Sequence, residues 1–412
     1  MKRVLLIVTL CLGLASQVHA DPAETLGLSW EGRGSAGANL ASVSDFSATW
    51  YNPGNLSWLQ HGQFSTSYVH LFSKMKPNGA RTSSGSFLEI GMAVPVFPHP
   101  RHPIWLGAAI LTPASGFYEL DLYPNQEPMF VSLNARERRL SLSMALSGKI
   151  LSWLSVGAGF EMLPTVDAVV DLDLGDSEGD NSVLVDVGYQ LSPIAGLTVQ
   201  PIEELRLALV YRGRNYTDMT IPVNVVAEGI ELQAQVHSRA FYVPHQVGFG
   251  IEWSFLEHFS VEADATWKQF STMPNPSPAV SLFDSDGAEA MKAVPESPNS
   301  RDVVVFSTAF RYRGPIEATF GYRFFPAVVK DQTGVSNLLD SDRHTLAAGL
   351  RYGLKPSSES PIEIGFHGSL SGTIYTDRVL EKEQILVDNA GYPSLEYGGF
   401  RIGASVGLDV RY

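Results

Sequence analysis

Cysteine is nearly missing from this chain. The single one, Cys11, falls in the first twenty residues, so disulfides and thiol chemistry are excluded from the rest. Basic charge is also short: 29 Lys and Arg stand against 43 Asp and Glu, a formal charge of −14. No basic face is left to meet phosphates, which argues against nucleic acid as a partner. Long apolar runs are lacking too. After residue 20 there is no unbroken apolar run long enough for a membrane-spanning helix. Ligand-spaced metal motifs are missing as well. The acidic stretch Asp167–Asp180 has loosely spaced carboxylates without EF-hand order and reads as a solvated loop, so neither metal nor cofactor is expected.

The chain does contain many glycines (37) and aromatic residues (10%), with a mean hydropathy of +0.02. Soluble β proteins and outer-membrane barrels share that composition. Met1–Ala20 reads as a signal peptide. Lys2 and Arg3 precede the apolar Val4–Leu14, and Val18, His19 and Ala20 form a small-residue cleavage site. Losing Lys2 and Arg3 would take the formal charge from −14 to −16. The remainder has no clear linker and is expected to form one large domain.

From residue 62 onward the dominant pattern is alternation. Reading back from the C-terminus, Tyr412, Val410, Leu408, Val406, Ala404, Ile402 and Phe400 are apolar, and the residues between them are polar, charged or glycine. A strand sends alternate side chains to opposite faces, so one face suits hydrocarbon and the other water. The pattern recurs, for example at Leu88–Val96, Leu140–Leu146, Val247–Phe255, Val304–Tyr312 and Ile316–Phe324. With weaker rows near 62–73, 103–112 and 183–197, fourteen strands are predicted. Aromatics such as Tyr211, Trp253, Trp267, Tyr312 and Tyr352 fall near strand ends, where interface girdles belong.

The connections separate a sandwich from a barrel. After the first hairpin, tight ones (98–102, 149–151, 201–203, 256–258, 314 and 354–360) alternate with long ones (113–136, 163–182, 216–232, 271–300, 325–341 and 372–399). Transmembrane barrels have short periplasmic turns and long outer loops, whereas a soluble Greek key has no reason to sort loops by side. The expected fold is therefore all-β: a 14-stranded antiparallel transmembrane barrel over 61–412, preceded by a compact non-barrel segment over 21–60. That segment holds the small-residue run Gly32–Ala38, Asp45 and the turn Asn52-Pro53-Gly54.

Gly32–Leu59, with its small-residue run, Asp45 and Asn52-Pro53-Gly54 before a leucine, resembles the N-terminal hatch of the FadL family. These are long-chain fatty-acid and hydrocarbon transporters of Gram-negative outer membranes. The family usually has Ala where this chain has Gly54. Gly196–Arg212, Val243–Trp253 and Gly321–His344 resemble later units of the same family, in the same order.

The resemblance implies a hatch that blocks the barrel lumen, with Asp45, Asn52, Pro53 and Gly54 as hatch and gate residues. It implies capture of hydrophobic ligand by outer loops and sideways release through a gap at the third strand, Ile104–Pro113. Gly107, Ala108 and Pro113 would weaken pairing there. Release into lipid is physically sensible, since each methylene favours burial by about 0.8 kcal/mol. Phe117, Tyr118, Leu122, Met129 and Phe130 could form an apolar landing groove or simply pack loop on loop. Arg206, Arg311, Arg323, Arg343 and Arg351 lie on the lumen face and could hold a carboxylate, or pair with Glu252, Glu262, Asp264 or Glu317.

The expected activity is passive uptake, not enzymatic. Partners implied are fatty acids or hydrocarbons, outer-membrane lipid and lipopolysaccharide, and the barrel-assembly machinery acting on the strand that ends at Tyr412. The chain would act as a monomer in the outer membrane. Aromatic-hydrocarbon uptake, a general porin and a purely structural barrel stay as alternatives. An enzymatic barrel would need a convergent Ser/His or Asp/His set; only His344, beside Asp342 and Arg343, is suggestively placed.

Overall fold

A ribbon with one apolar and one polar face leaves two unpaired edges, and closing a row of such ribbons removes both. The computed structural model shows this closure. It describes residues 22–76, 84–116, 128–130, 140–173, 182–227, 230–273, 279–283, 289–293, 299–334, 337–357, 360–383 and 391–412. The predicted signal peptide lies outside them.

Fourteen strands form the wall. They are β1 (Gln63–Lys76), β2 (Gly85–Phe97), β3 (Ile104–Pro113), β4 (Ser141–Leu151), β5 (Leu154–Asp173), β6 (Ser182–Ile202) and β7 (Leu205–Arg212), followed by β8 (Gln246–Phe255), β9 (Phe259–Lys268), β10 (Val303–Arg313), β11 (Ile316–Phe325), β12 (Arg343–Leu354), β13 (Glu363–Glu381) and β14 (Ser394–Arg411). Each pairs antiparallel with the next, and β14 pairs with β1 from Gln63↔Arg411 to Lys76↔Gly398, which closes the ring. The strand rows read from the sequence are all present.

The faces agree with the alternation. Phe320 is 56% exposed on the outside, whereas Arg311 and Glu262 on the inside are 1% exposed. Among the described residues no helix is long and apolar enough to cross a membrane, so any crossing is made by strands.

Four of the expected long loops hold extended chain: 372–399 is paired as far as Glu381↔Ser394, 271–300 holds the paired stretches Ala279–Phe283 and Glu289–Ala293, and two others are mostly strand. β5 and β6 pair as far as Asp171↔Ser182, and Asn215–Ala227 with Ile230–Val243 forms a hairpin between β7 and β8. β-Branched residues stay frequent there (Thr165, Val166, Val169 and Val170; Thr220, Ile221, Val223 and Val225), which favours extended backbone.

The N-terminal segment packs inside the ring. It holds three short helices, α1 (Pro22–Leu26), α2 (Ser29–Gly34) and α3 (Ala48–Tyr51), and a 3-10 turn, Pro53–Trp58. Such short helices are not stable alone; the wall supports them. Phe46, Trp50, Tyr51 and Leu56 share one apolar cluster with Val69, Phe87, Trp105 and Ala145 of β1–β4.

Wall glycines make room for the segment. A Cβ at Gly91 would strike Phe46, at Gly157 it would strike Pro53, at Gly250 Leu40, and at Gly321 the backbone of Ser35. Gly107 belongs to this set: a Cβ there would meet Thr49 and Leu56. The weakened pairing expected at Gly107 and Ala108 is not found, whereas Pro113 pairs on one side only, the register with β4 ending at Leu111↔Ser141. Gly107 pairs with Ala93 and Ala145, Ala108 with Met92 and Met144, and Pro113 with Phe87. The β2–β3 ladder shifts register only at Pro95/Phe97. The physical reason is that Gly107 admits the segment's side chains rather than breaking the strand.

Candidate functional site

The lumen is divided by the N-terminal segment. On the tight-turn side the segment is pinned by buried charge. Glu31 of α2 accepts from Arg311 Nε at 3.1 Å, and Arg311 Nη1 donates to Glu262 at 2.8 Å. The same guanidinium donates to the Ala38 carbonyl and to Asn39 Oδ1. Glu262 also receives the Ala41 N–H and the Ser42 hydroxyl, and Asp264 receives the Asn39 N–H at 2.8 Å. Residues of the segment thus meet one arginine and two carboxylates of β9–β10; Arg311 is answered by Glu31 and Glu262, while Asp264 is held by main-chain donors.

The Asn52 turn is the second tie. Its Oδ1 accepts the Gly54 N–H at 2.9 Å, and its Nδ2 donates to the Leu40 carbonyl and to Thr198 Oγ1. The Gly54 carbonyl receives Ser147 and Ser155 hydroxyls. Gly54 therefore sits where a methyl would crowd Thr198 and the Gly196 carbonyl at 3.1 and 3.2 Å. These polar ties run to β4, β5 and β6, whereas the contacts to β3 described above are apolar packing. Asp45 bonds locally, accepting from the Ser47 N–H and hydroxyl. Burial and the neighbouring Glu31 push its carboxyl up to about 7.

On the long-connection side lies a chamber. Six cations face it (Arg33, Arg212, Lys268, Arg323, Arg343 and Arg401) and one carboxylate, Glu24, among apolar side chains such as Val69, Leu71, Val305 and Phe325. Burial opposes ionisation of Glu24, but Lys268 and Arg323 beside it hold its carboxyl down to about 2. Arg323 lies 3.8 Å from the Glu24 carboxylate and donates to the Glu24 carbonyl at 3.4 Å, and Arg343 lies over the Phe325 ring at 3.7 Å. The buried Nε atoms of both arginines have no hydrogen-bond partner among the described residues. A recess on the opposite side is bordered by Trp58, Arg206, Arg313 and Arg411.

The five lumen arginines proposed from the sequence thus divide by depth. Arg206, Arg311 and Arg351 stand near the tight-turn ends of their strands. Arg206 lies 3.9 Å from Glu252, and Arg351 binds Asp409, Glu317 and Glu363 at 2.7 Å each. Arg323 and Arg343 stand near the long-connection ends and face the chamber. Arg212 and Lys268, which the alternation also puts on the inward face but which were not among those five, face it too. Both are the last residue of a wall strand on that side, a position visible in the sequence.

Of the expected outer groove, Phe117, Tyr118 and Leu122 lie outside the described residues. Met129 contributes backbone pairing to Leu338, and Phe130 is fully buried against Tyr375 and Tyr397. His344, Asp342 and Arg343 diverge. The first bonds Tyr322 on the outside, the second accepts the Ala327 N–H, and the third faces the chamber. Ser65 Oγ and His367 Nε2 do approach to 3.2 Å, but both are buried, and His367 Nδ1 has no partner to orient it as a base. Among the described residues no group of three or more His, Cys, Asp or Glu could hold a metal.

No protein-family model matches this chain, and no curated protein matches its sequence. Solved structures do match its fold. A FadL homologue of Pseudomonas aeruginosa superposes with a TM-score of 0.58 at 13% identity, over 93% of this chain and 98% of that one. The toluene transporter TbuX of Ralstonia pickettii gives 0.57 at 17% identity, over 94% and 99%. The monoaromatic hydrocarbon channel CymD gives 0.57 at 13% identity, over 94% and 98%. The fold expected from the hatch and strand motifs is the fold found.

Proposed function

We propose that the protein is a Gram-negative outer-membrane channel for passive uptake of long-chain fatty acids or related hydrophobic carboxylates. The chamber carries this reading: among the described residues its lining holds more cations than carboxylates even after Arg33 pairs with Glu89 and Lys268 with Glu24, and with apolar walls this suits a molecule with an apolar tail and an anionic head. Cargo entering from the long-connection side would lay its tail against Val69, Leu71, Val305 and Phe325. Its carboxylate would reach Arg323 and Arg343, whose planar forks fit that geometry. The N-terminal segment acts as the hatch, and Asp45 and the Asn52-Pro53-Gly54 turn belong to it. Sideways release beside β3 would require the closed ladder at Gly107 to part.

A neutral aromatic cargo is the second reading, favoured by the likeness to the hydrocarbon channel CymD and the toluene transporter TbuX. Binding of a labelled long-chain fatty acid to purified protein separates the two. Arg323→Gln with Arg343→Gln should weaken it about tenfold and leave toluene uptake by cells unchanged. Equal fatty-acid affinity in wild type and double variant would remove the carboxylate site. Toluene uptake without any fatty-acid binding would replace the cargo.

A further inference from the structure

Two side-chain pairs on the outside of the wall repeat one geometry. Tyr211 on β7 stands opposite Val247 on β8, and its hydroxyl meets His245 Nδ1, two residues before Val247, at 2.9 Å. Tyr322 on β11 stands opposite Leu346 on β12, and its hydroxyl meets His344 Nδ1, two residues before Leu346, at 2.8 Å. The rings stack in both, with centroids 6.0 and 6.2 Å apart. β9 and β10 separate the two strand pairs, so the same diagonal is built twice. β1–β2 carries a variant: Tyr68 stands opposite Leu88 and its hydroxyl meets Ser86, again two residues before, while His70 Nδ1 meets the same serine at 3.0 Å.

Depth gives these pairs a setting. Val247 and Leu346 are the last apolar residues of their own outward rows toward the long connections; His245 stands one step beyond its row, while His344 stands opposite Phe324 at the end of the neighbouring row, with ring centroids 5.0 Å apart. The tyrosines remain exposed, at 41% and 37%. On β1 the same outward row continues past His70 through Phe72 to the exposed Lys74.

Hydrogen bonding fixes the ring. The Arg214 backbone N–H also approaches His245 Nδ1, at 3.3 Å. A backbone N–H can only donate, so Nδ1 is the acceptor, the Tyr211 hydroxyl donates to it, and the proton of the neutral ring sits on Nε2. Stacking holds the ring in place, so Nε2–H is a preset donor at the far vertex. His344 has the same hydroxyl on the same nitrogen. Lipid tails offer nothing to such a donor; a phosphate offers acceptor oxygens, and the bond to an anion is the stronger kind.

We propose that the Tyr211–His245 and Tyr322–His344 pairs are binding sites for phosphate groups of a phosphorylated lipid of the outer leaflet. Native mass spectrometry of the full chain, with bisphosphorylated lipid A and its dephosphorylated form as probes, tests this. Wild type should retain the phosphorylated lipid about tenfold better than the phosphate-free one. His245→Ala with His344→Ala should abolish that preference. Tyr211→Phe with Tyr322→Phe keeps the stacking but releases the nitrogen, and should reduce it. Unfolding temperatures in lipid-free detergent show that each variant is folded. Equal retention of the two lipids by wild type, an unchanged preference in a folded double-histidine variant, or displacement by inorganic phosphate alone would overturn the assignment.

Discussion

In the wall, each strand pairs with two neighbours through runs of main-chain bonds, and the apolar side chains face outward. In the segment inside it, helices are only 4 to 6 residues long, and many of the ties to the wall are made by side chains. The segment is also better matched on one side than the other: carboxylates answer Arg311 toward the tight turns, whereas cations exceed carboxylates in the chamber beyond. The wall should therefore stand without the segment, while the segment depends on a few wall residues.

The largest expected effect breaks the segment and spares the wall. Arg311→Ala leaves Glu262 buried without its cation and Glu31 with only Arg313 at 3.5 Å, a loss of about 3–5 kcal/mol. Single-channel recordings should show new conductance while the protein keeps its heat-resistant migration on gels. Loss of the folded barrel instead would mean that the segment supports the wall.

Phe320→Arg attacks the other region. An arginine at this outward position near the membrane midplane should cost about 2–4 kcal/mol of unfolding free energy in lipid. A change near zero would show that the strand is not facing hydrocarbon.

Asn52→Ala with Pro53→Ala should cost the docked segment about 1–3 kcal/mol, since the Leu40 carbonyl and Thr198 lose the Asn52 amide. Uptake or conductance should change in a correctly inserted variant. If both match wild type, the segment is not the gate.

The smallest effect is a pH dependence. Asp45 is raised from 3.8 to about 7 by burial and by Glu31, against the hydrogen bonds from Ser47 and Ser29. A raised carboxyl favours the docked state while protonated. That contribution is full below the ordinary value and is lost as pH rises through about 7. Conductance should climb from about pH 6 to about pH 8, and Asp45→Asn should flatten the climb.

Much of the wall was legible because its signal is local. Leu88 and Glu89 sort to opposite faces wherever the strand is placed, since successive side chains point opposite ways. The five lumen arginines were legible by face but not by role. Arg311 meets Glu31 across 280 positions, and no periodicity encodes that partner. Gly107 illustrates the same limit. A glycine beside a strand-ending proline suggests weak pairing, yet its missing side chain serves Thr49 and Leu56, which only the folded segment brings there.

The sequence by itself determined the number of wall strands, which faces turn outward, and on which side the long connections fall. Those follow from a two-residue period and from turn chemistry between neighbours. Only the tertiary structure decided that the N-terminal segment fills the lumen, that wall glycines seat it, and that Arg311 holds it while Arg323 and Arg343 border a chamber. Those facts depend on which distant residues a closed ring brings face to face, and on where along each strand a charge stands relative to the segment.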